Sequence, residues 1–195
     1  MLPDKIVFAS ANAGKIREVQ SILKTVTVLS LKDVGFSGEI EETGSTFEEN
    51  SYIKAKAVYD FCHLPTLADD SGLCVDALNG APGVFSARYD KSADATPRSA
   101  RLLLLKNLEG VSDRNAKFVC VATYIDENGK IVTAKGETHG SILTEEHGDG
   151  GFGYDCVFYS YDLKKSFGEA DFEEKNAVSH RYRALEELKK TIESK

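Results

Sequence analysis

The sequence predicts an α/β protein with a central mixed β-sheet flanked by helices, built as one domain over residues 1–195 with two lobes. Two local patterns and one global property point there. Near the N-terminus the apolar run Ile6–Ala9 is followed by the small, polar stretch SANAG. Ile16, Val19, Ile22 and Leu23 then recur at helical spacing, giving a strand–loop–helix unit. In the middle of the chain, Asn128-Gly129 separates two alternating apolar runs, the mark of a β-hairpin and hence of antiparallel pairing. Finally, 195 residues of which 42% are hydrophobic suffice for a sizeable core.

The elements follow in order. After the strand at Ile6–Ala9 and the helix over Lys15–Lys24, residues 25–29 read as a second strand. The acidic, glycine-containing loop SGEIEETGS follows. Thr46 opens the next helix: Thr46-Phe47-Glu48-Glu49 is a capping-box pattern, with Glu49 as the return partner, and the helix ends near Cys62 ahead of Pro65. Thr66–Ala68 reads as a short strand that delivers Asp69 and Asp70 at its end. The stretch NGAPGVFSARYD is irregular, and Thr96-Pro97 starts a helix closed before Gly110. The hairpin strands run over Lys117–Asp126 and Lys130–Lys135, the second continuing toward Leu143. A glycine cluster, HGDGGFGYD, precedes a strand at Cys156–Tyr159. Glu173–Glu193, with Ala177, Ala184, Leu185, Leu188 and Ile192, reads as an amphipathic C-terminal helix.

Lys plus Arg number 24 against 31 Asp plus Glu, a net charge of −7. Binding to nucleic acid in bulk is driven by phosphate neutralisation, so this balance argues against it while permitting a small phosphorylated ligand. The four cysteines form no C-x-x-C pair and sit beside apolar residues, as buried free thiols of a reducing compartment do. No apolar run approaches the roughly 20 residues that span a bilayer. A soluble, cytoplasmic protein is expected.

Several stretches can carry chemistry. Ser10–Lys15, SANAGK, lies between strand and helix, where backbone N–H groups and a lysine make an anion site; it is not a Walker A loop, because Ala9 and Ile16 stand where that motif needs Gly and Ser or Thr. Alone, it reads equally as an ordinary turn with a solvated lysine. Gly148, Gly150 and Gly153 spell G-x-G-x-x-G, but a strand rather than a helix follows, which rejects a dinucleotide fingerprint. The glycines instead allow backbone to approach a flat ligand on which Phe152 or Tyr154 can stack. Glu41 and Glu42, with Asp69 and Asp70, offer hard oxygens from two distant segments, which suits Mg²⁺. Each pair alone also reads as a solvated loop or turn. Lys54 on its own is an ordinary helix lysine. Lys175, His180, Arg181 and Arg183 cluster near the C-terminus, where His and Arg can read a base edge or merely line a basic helix. Together these are the parts of a nucleotide hydrolase.

The set also resembles the inosine/xanthosine triphosphate pyrophosphatase family. The matching blocks are SANAGK, EETGSTFEENSYIKAKA, LADDSGLCVDALNGAPGVFSARY, GFGYD and EEKNAVSHR, in order along nearly the whole chain. The resemblance implies hydrolysis of dITP, ITP and XTP to monophosphate and pyrophosphate, with Mg²⁺, in a homodimer. It assigns the triphosphate to Ser10, Ala11, Asn12, Ala13, Gly14 and Lys15, and the metal to Glu41, with Glu42 adjacent, and Asp70. It assigns Lys54 to the phosphates, Asp70 also to the attacking water, and Ser71 to substrate contact. Phe152, Gly153, Tyr154 and Asp155 fall to the base loop, and Lys175, His180 and Arg181 to base recognition. Departures are Cys156 where Pro is usual, Ser51 for Ala, and Ala13 for Pro.

On this reading Lys15 and Lys54 neutralise developing charge, Asp69 supports Asp70 or the metal shell, and the segments meet in a cleft between the two lobes. Arg181 donates to the six-keto oxygen, which adenine lacks. A pyrophosphatase for modified pyrimidine or methylated nucleotides, and a nucleotide sensor without turnover, are the rival readings.

Overall fold

The computed structural model of the chain describes residues 2–194. Its strands are β1 (Lys5–Phe8), β2 (Thr27–Leu29), β3 (Thr66–Val75), β4 (Asn115–Ile125), β5 (Ile131–Ile142), β6 (Phe158–Ser160) and β7 (Lys165–Ser166). The helices are α1 (Ala13–Ile22), α2 (Phe47–Cys62), α3 (Pro97–Asn107), α4 (Phe172–Val178) and α5 (His180–Glu193), with 3-10 turns at Asp76–Leu78, Gly83–Arg88 and Asp155–Val157. Among the described residues the strands form one sheet in the order β2-β1-β3-β4-β5-β6-β7. It is mixed: β1 pairs parallel with β2 and β3, while β6 pairs antiparallel with β5 and β7. The predicted class therefore holds.

The chain falls into two compact units. One holds the chain up to Asp70, Cys120–Gly136 and the chain from His180; the other holds Ser71–Val119 and Glu137–Ser179. In the first unit β1 is buried on both faces. Ile6 and Phe8 pack with Val19, Leu23, Leu67, Ala184 and Leu185, whereas Val7 and Ala9 pack with Ala55, Val58, Ala68 and Ile125. That double burial is why the run is continuously apolar rather than alternating. Leu67 and Ala68 of β3 divide between the same two clusters. Each fully buried Leu or Phe contributes roughly 1.5–3 kcal/mol. In the second unit Leu73, Leu104, Leu108, Phe118, Phe158 and Phe167 form the core.

The cap of α2 is as the sequence reads it, and α3 adds a second of the same kind. Thr46 accepts from the Glu49 N–H and Glu49 returns the bond to the Thr46 N–H, closing the capping box of α2; Thr96 and Ser99 do the same for α3. The hairpin loop is closed by Asp126, whose Oδ1 accepts from the Asn128 and Lys130 N–H groups, while Gly129 takes φ +79°. Three expectations are corrected. The strand read as Thr66–Ala68 runs on to Val75, so Asp69 and Asp70 lie inside it. The single C-terminal helix is two, parted at Ser179 in extended backbone (φ −68°, ψ 152°), where the Thr138 hydroxyl takes the Val178 carbonyl that a continuing helix would use. The strand read from Cys156 begins at Phe158, after a 3-10 turn. Cys120 and Cys156 are buried, but Cys62 and Cys74 are half-exposed.

Candidate active site

The site grows from the parity of β3. Side chains alternate across a strand, so Asp69 shares a face with Leu67 and Asp70 shares one with Ala68. Asp69 therefore looks toward α1 and α5, and Asp70 toward α2. The Arg181 guanidinium donates to Asp69 Oδ2 from Nε at 3.2 Å and Nη2 at 2.8 Å, and it pairs with Glu18 of α1 through Nη1. Lys15 Nζ lies 3.2 Å from the same Asp69 oxygen. On the other face Asp70 Oδ1 accepts from Lys54 at 3.2 Å and Oδ2 from Asn50 Nδ2 at 3.2 Å. Lys54 also reaches Glu42 Oε2 at 2.9 Å.

These settings push the two carboxyls apart. Burial alone would raise Asp69, but Arg181, then Lys15 and Lys54, outweigh it and hold the group well below the ordinary carboxylate range. For Asp70 burial prevails: Lys54 and Lys15 pull its value down, Glu42 pushes it up, and the net shift is upward. Burial likewise lowers Lys54, yet Asp70, Asp69 and Glu42 together raise it. Asp69 is an ionised anchor, and Asp70 is the carboxyl more ready to take a proton. Neighbouring groups driven apart in this way mark acid–base sites.

The loop before α1 is ordered by its own polar groups. Ser10 Oγ accepts from the Asn12 N–H at 3.2 Å, and Asn12 Oδ1 caps the helix by accepting from the Lys15 N–H at 3.1 Å. The first turn of α1 carries no acidic residue, so its N–H groups and Lys15 present positive potential. Ser51, where the resemblance would have Ala, is absorbed without strain: its hydroxyl meets Thr123 Oγ1 at 2.7 Å.

In the second unit the glycine–aromatic loop is built around Asp155. Its Oδ2 accepts from the Phe152 N–H at 2.7 Å and from Lys175 Nζ at 2.6 Å, and Lys175 Nζ lies 4.4 Å from the centroid of the half-buried Phe152 ring. Phe152 is thus the stacking candidate. Tyr154 is buried in the core and its hydroxyl donates to the Ser86 carbonyl, so it is not available to stack. Gly153 takes φ +61°.

Of the expected residues, the first unit brings together Lys15, Glu42, Lys54, Asp69, Asp70 and Arg181, and the second brings together Phe152, Asp155 and Lys175. Glu41 is exposed, and Glu42 instead meets the cluster. Ser71 is half-buried on β3, and His180 is buried at the start of α5. Arg181 is 1% exposed and its charge is given to Asp69 and Glu18, partners the sequence did not suggest for it. Its place is secured by Gly136 of β5, where a Cβ would stand 2.3 Å from the His180 carbonyl oxygen and from the Ala184 nitrogen; only glycine lets α5 lie so close. Glu18 and Asn50 went unread, although each lies on the buried side of its helix, Glu18 beside Val19 in α1 and Asn50 with Lys54 and Val58 in α2.

Among the described residues no cluster of three or more His, Cys, Asp or Glu side chains forms a metal cage. The carboxylates of Glu42 and Asp70, bridged here by an ammonium, nonetheless fit Mg²⁺, which takes one or two carboxylates and completes its shell with water and phosphate oxygens. On the opposite face of β3, Asp69 Oδ1 is buried and has no hydrogen-bond partner.

A model of the Ham1 family matches residues 6–191. A dITP/XTP pyrophosphatase of Treponema denticola is 44% identical over 190 residues, covering 96% of this chain and 98% of that protein; one from Clostridium perfringens is 42% identical, covering 96% and 97%. Among solved structures, a HAM1 protein from Coxiella burnetii superposes with a TM-score of 0.87 at 41% identity, covering all of both chains. The Staphylococcus aureus Ham1 protein gives 0.86 at 37% identity, covering 97% of this chain and 98% of its own. The chain belongs to the Ham1 family.

Proposed function

We propose that the protein hydrolyses deaminated purine nucleoside triphosphates, dITP, ITP and XTP, to the monophosphate and pyrophosphate. The observation that carries this reading is the pairing, on one strand, of an ionised carboxylate anchored by Lys15 and Arg181 with a second carboxylate that Lys54 ties to an acidic loop. Relatives carrying the name dITP/XTP pyrophosphatase, matched over nearly the whole chain, support it.

The triphosphate binds the Ser10–Lys15 loop, where Ala11, Ala13 and Gly14 leave backbone N–H groups accessible and Asn12 holds them in place. Asp70 orients a water for in-line attack on the α-phosphorus. A bond forms from the water oxygen to phosphorus, the bond to the bridging oxygen of pyrophosphate breaks, and the water proton passes to Asp70. Lys15 and Lys54 neutralise the charge that develops on the phosphate oxygens. Glu42 and Asp70, with Glu41 adjacent in sequence, would hold Mg²⁺, which when bound supplies Lewis-acid polarisation of the phosphates. Asp69 supports this arrangement from the opposite face of β3.

The base stacks on Phe152 in the loop that Asp155 and Gly153 shape. Donors to the six-keto oxygen are drawn from Lys175 and His180, while Arg181, expected from the sequence to donate there, is committed to Asp69 and Glu18. Adenine presents an amino donor there, which leaves a buried donor unpaired and costs several kcal/mol. Ser71 contacts the substrate. We also propose action as a cytoplasmic homodimer; Phe85, 51% exposed beside the Arg88 guanidinium, is apolar surface suited to it, and light scattering reads the mass.

A panel of triphosphates with Mg²⁺, assayed for pyrophosphate against orthophosphate, tests the function. Faster pyrophosphate release from dITP and XTP than from ATP and dTTP is expected. Equal rates, orthophosphate as product, or binding without turnover would each overturn it.

A further inference from the structure

We propose that Asn50 is the positioning residue that fixes Asp70 relative to the acidic loop; this rests on the hydrolase reading above. Asn50 is fully buried on the inward face of α2, one turn before Lys54. Its Nδ2 donates to Asp70 Oδ2 at 3.2 Å, while Lys54 donates to Oδ1 at 3.2 Å, so each oxygen of the carboxylate has a donor from the same helix face. Two donors fix the plane of a carboxylate that one would leave free to rotate.

The other end of the Asn50 amide does a second job. Oδ1 accepts from the Gly44 N–H at 2.8 Å, in the loop that carries Glu42, and Lys54 grips that loop at Glu42. A Cβ on residue 44 would lie 2.6 Å from Asn50 Oδ1 and 2.7 Å from Glu49 Cβ, so the approach requires glycine. The helix itself is pinned at this end, since Glu49 Oε2 accepts from the Ser45 and Thr46 N–H groups. Asn50 and Lys54 thus form a two-point clamp between the loop and β3. Lys54 contributes charge, and Asn50 contributes direction. Outer partners of this kind typically govern 10–100-fold in activity or metal affinity.

Two variants of the full chain separate the roles. Asn50→Ala removes both bonds; Asn50→Asp keeps an acceptor for Gly44 and removes the donor to Asp70. Each is measured for dITP turnover with Mg²⁺, for binding stoichiometry of an α,β-imido dITP analogue, and for Mn²⁺ affinity by calorimetry. We expect kcat to fall roughly tenfold or more in both, with KM within about threefold of the parent and one analogue bound per chain. A kcat within threefold of the parent overturns the proposal. So does a loss of kcat matched by a fall in stoichiometry, which marks a merely structural role, or a loss carried by KM alone. Should the parent fail to release pyrophosphate, the hydrolase reading falls, and Mn²⁺ affinity decides separately: weakening in Asn50→Ala upholds the clamp, and unchanged affinity in that variant refutes it.

Discussion

Asp69 and Asp70 are consecutive residues of one strand, yet they live in opposite settings. Asp69 turns toward α1 and α5, where Arg181, Lys15 and Glu18 enclose it in a network that holds its charge permanently. Asp70 turns toward α2, where a neutral amide, one lysine and a second carboxylate leave it partly uncompensated and raise its proton affinity. The difference teaches how a strand can separate structure from chemistry within a single dipeptide. One face uses charge to hold the elements together, and the other keeps a carboxylate costly to ionise and therefore reactive.

Replacing each in turn sharpens that contrast. Asp70→Asn should lower turnover about a thousandfold, the range of a lost general base, with nucleotide binding largely kept. Its stability should move the other way. The folded-state value of Asp70 stands above its unfolded one, so its contribution is full below the unfolded value and is lost as pH rises through the folded one. At neutral pH the ionised group costs stability, and the variant's Tm should equal or exceed the parent's. Asp69→Asn should instead destabilise the fold by about 3–5 kcal/mol, because it strips a buried arginine of one of its two carboxylates; urea denaturation measures this. A stable Asp69→Asn chain or a collapsed Asp70→Asn chain would erase the distinction.

Acid separates the two faces next. Asp69 is lowered on folding from the ordinary 3.8, so its stabilisation is complete above that value and drains away as pH falls below it. The acid limb of kcat/KM should lie above the same value, since Asp70 must be ionised to accept a proton. Activity is then lost on acidification before the fold is. The smallest expected effect contrasts the two glutamates of the loop. Glu42→Gln should reduce turnover about tenfold, whereas Glu41→Gln, exposed to solvent, should stay within about twofold.

Much of this was readable beforehand. Apolar runs, the Thr46/Glu49 box, the Thr96-Pro97 helix start and the hairpin placed most elements, and the charged blocks marked Lys15, Lys54, Asp69 and Asp70. What escaped notice had physical causes. Asp-Asp-Ser-Gly has turn chemistry, yet it is extended because it lies within β3, which stands between β1 and β4 in the sheet, strands remote from it in sequence. The division of the last helix depends on Thr138, about forty residues upstream, as its bond to the Val178 carbonyl records. Tyr154 looked like a ligand platform because glycines surround it, but its ring fills the core. Glu18 and Asn50 lie on the buried sides of their helices, where an unpaired polar group would be costly; that mismatch was the available clue.

The claim on which the rest turns is that water activated on the Asp70 face attacks the α-phosphorus. Hydrolysis of dITP in ¹⁸O-enriched water, with the products resolved by mass spectrometry, tests it directly. The account predicts one labelled oxygen in dIMP, none in pyrophosphate, and no labelled product above background from Asp70→Asn. Label in pyrophosphate or orthophosphate, or undiminished labelling of dIMP by the Asp70→Asn chain, would contradict it.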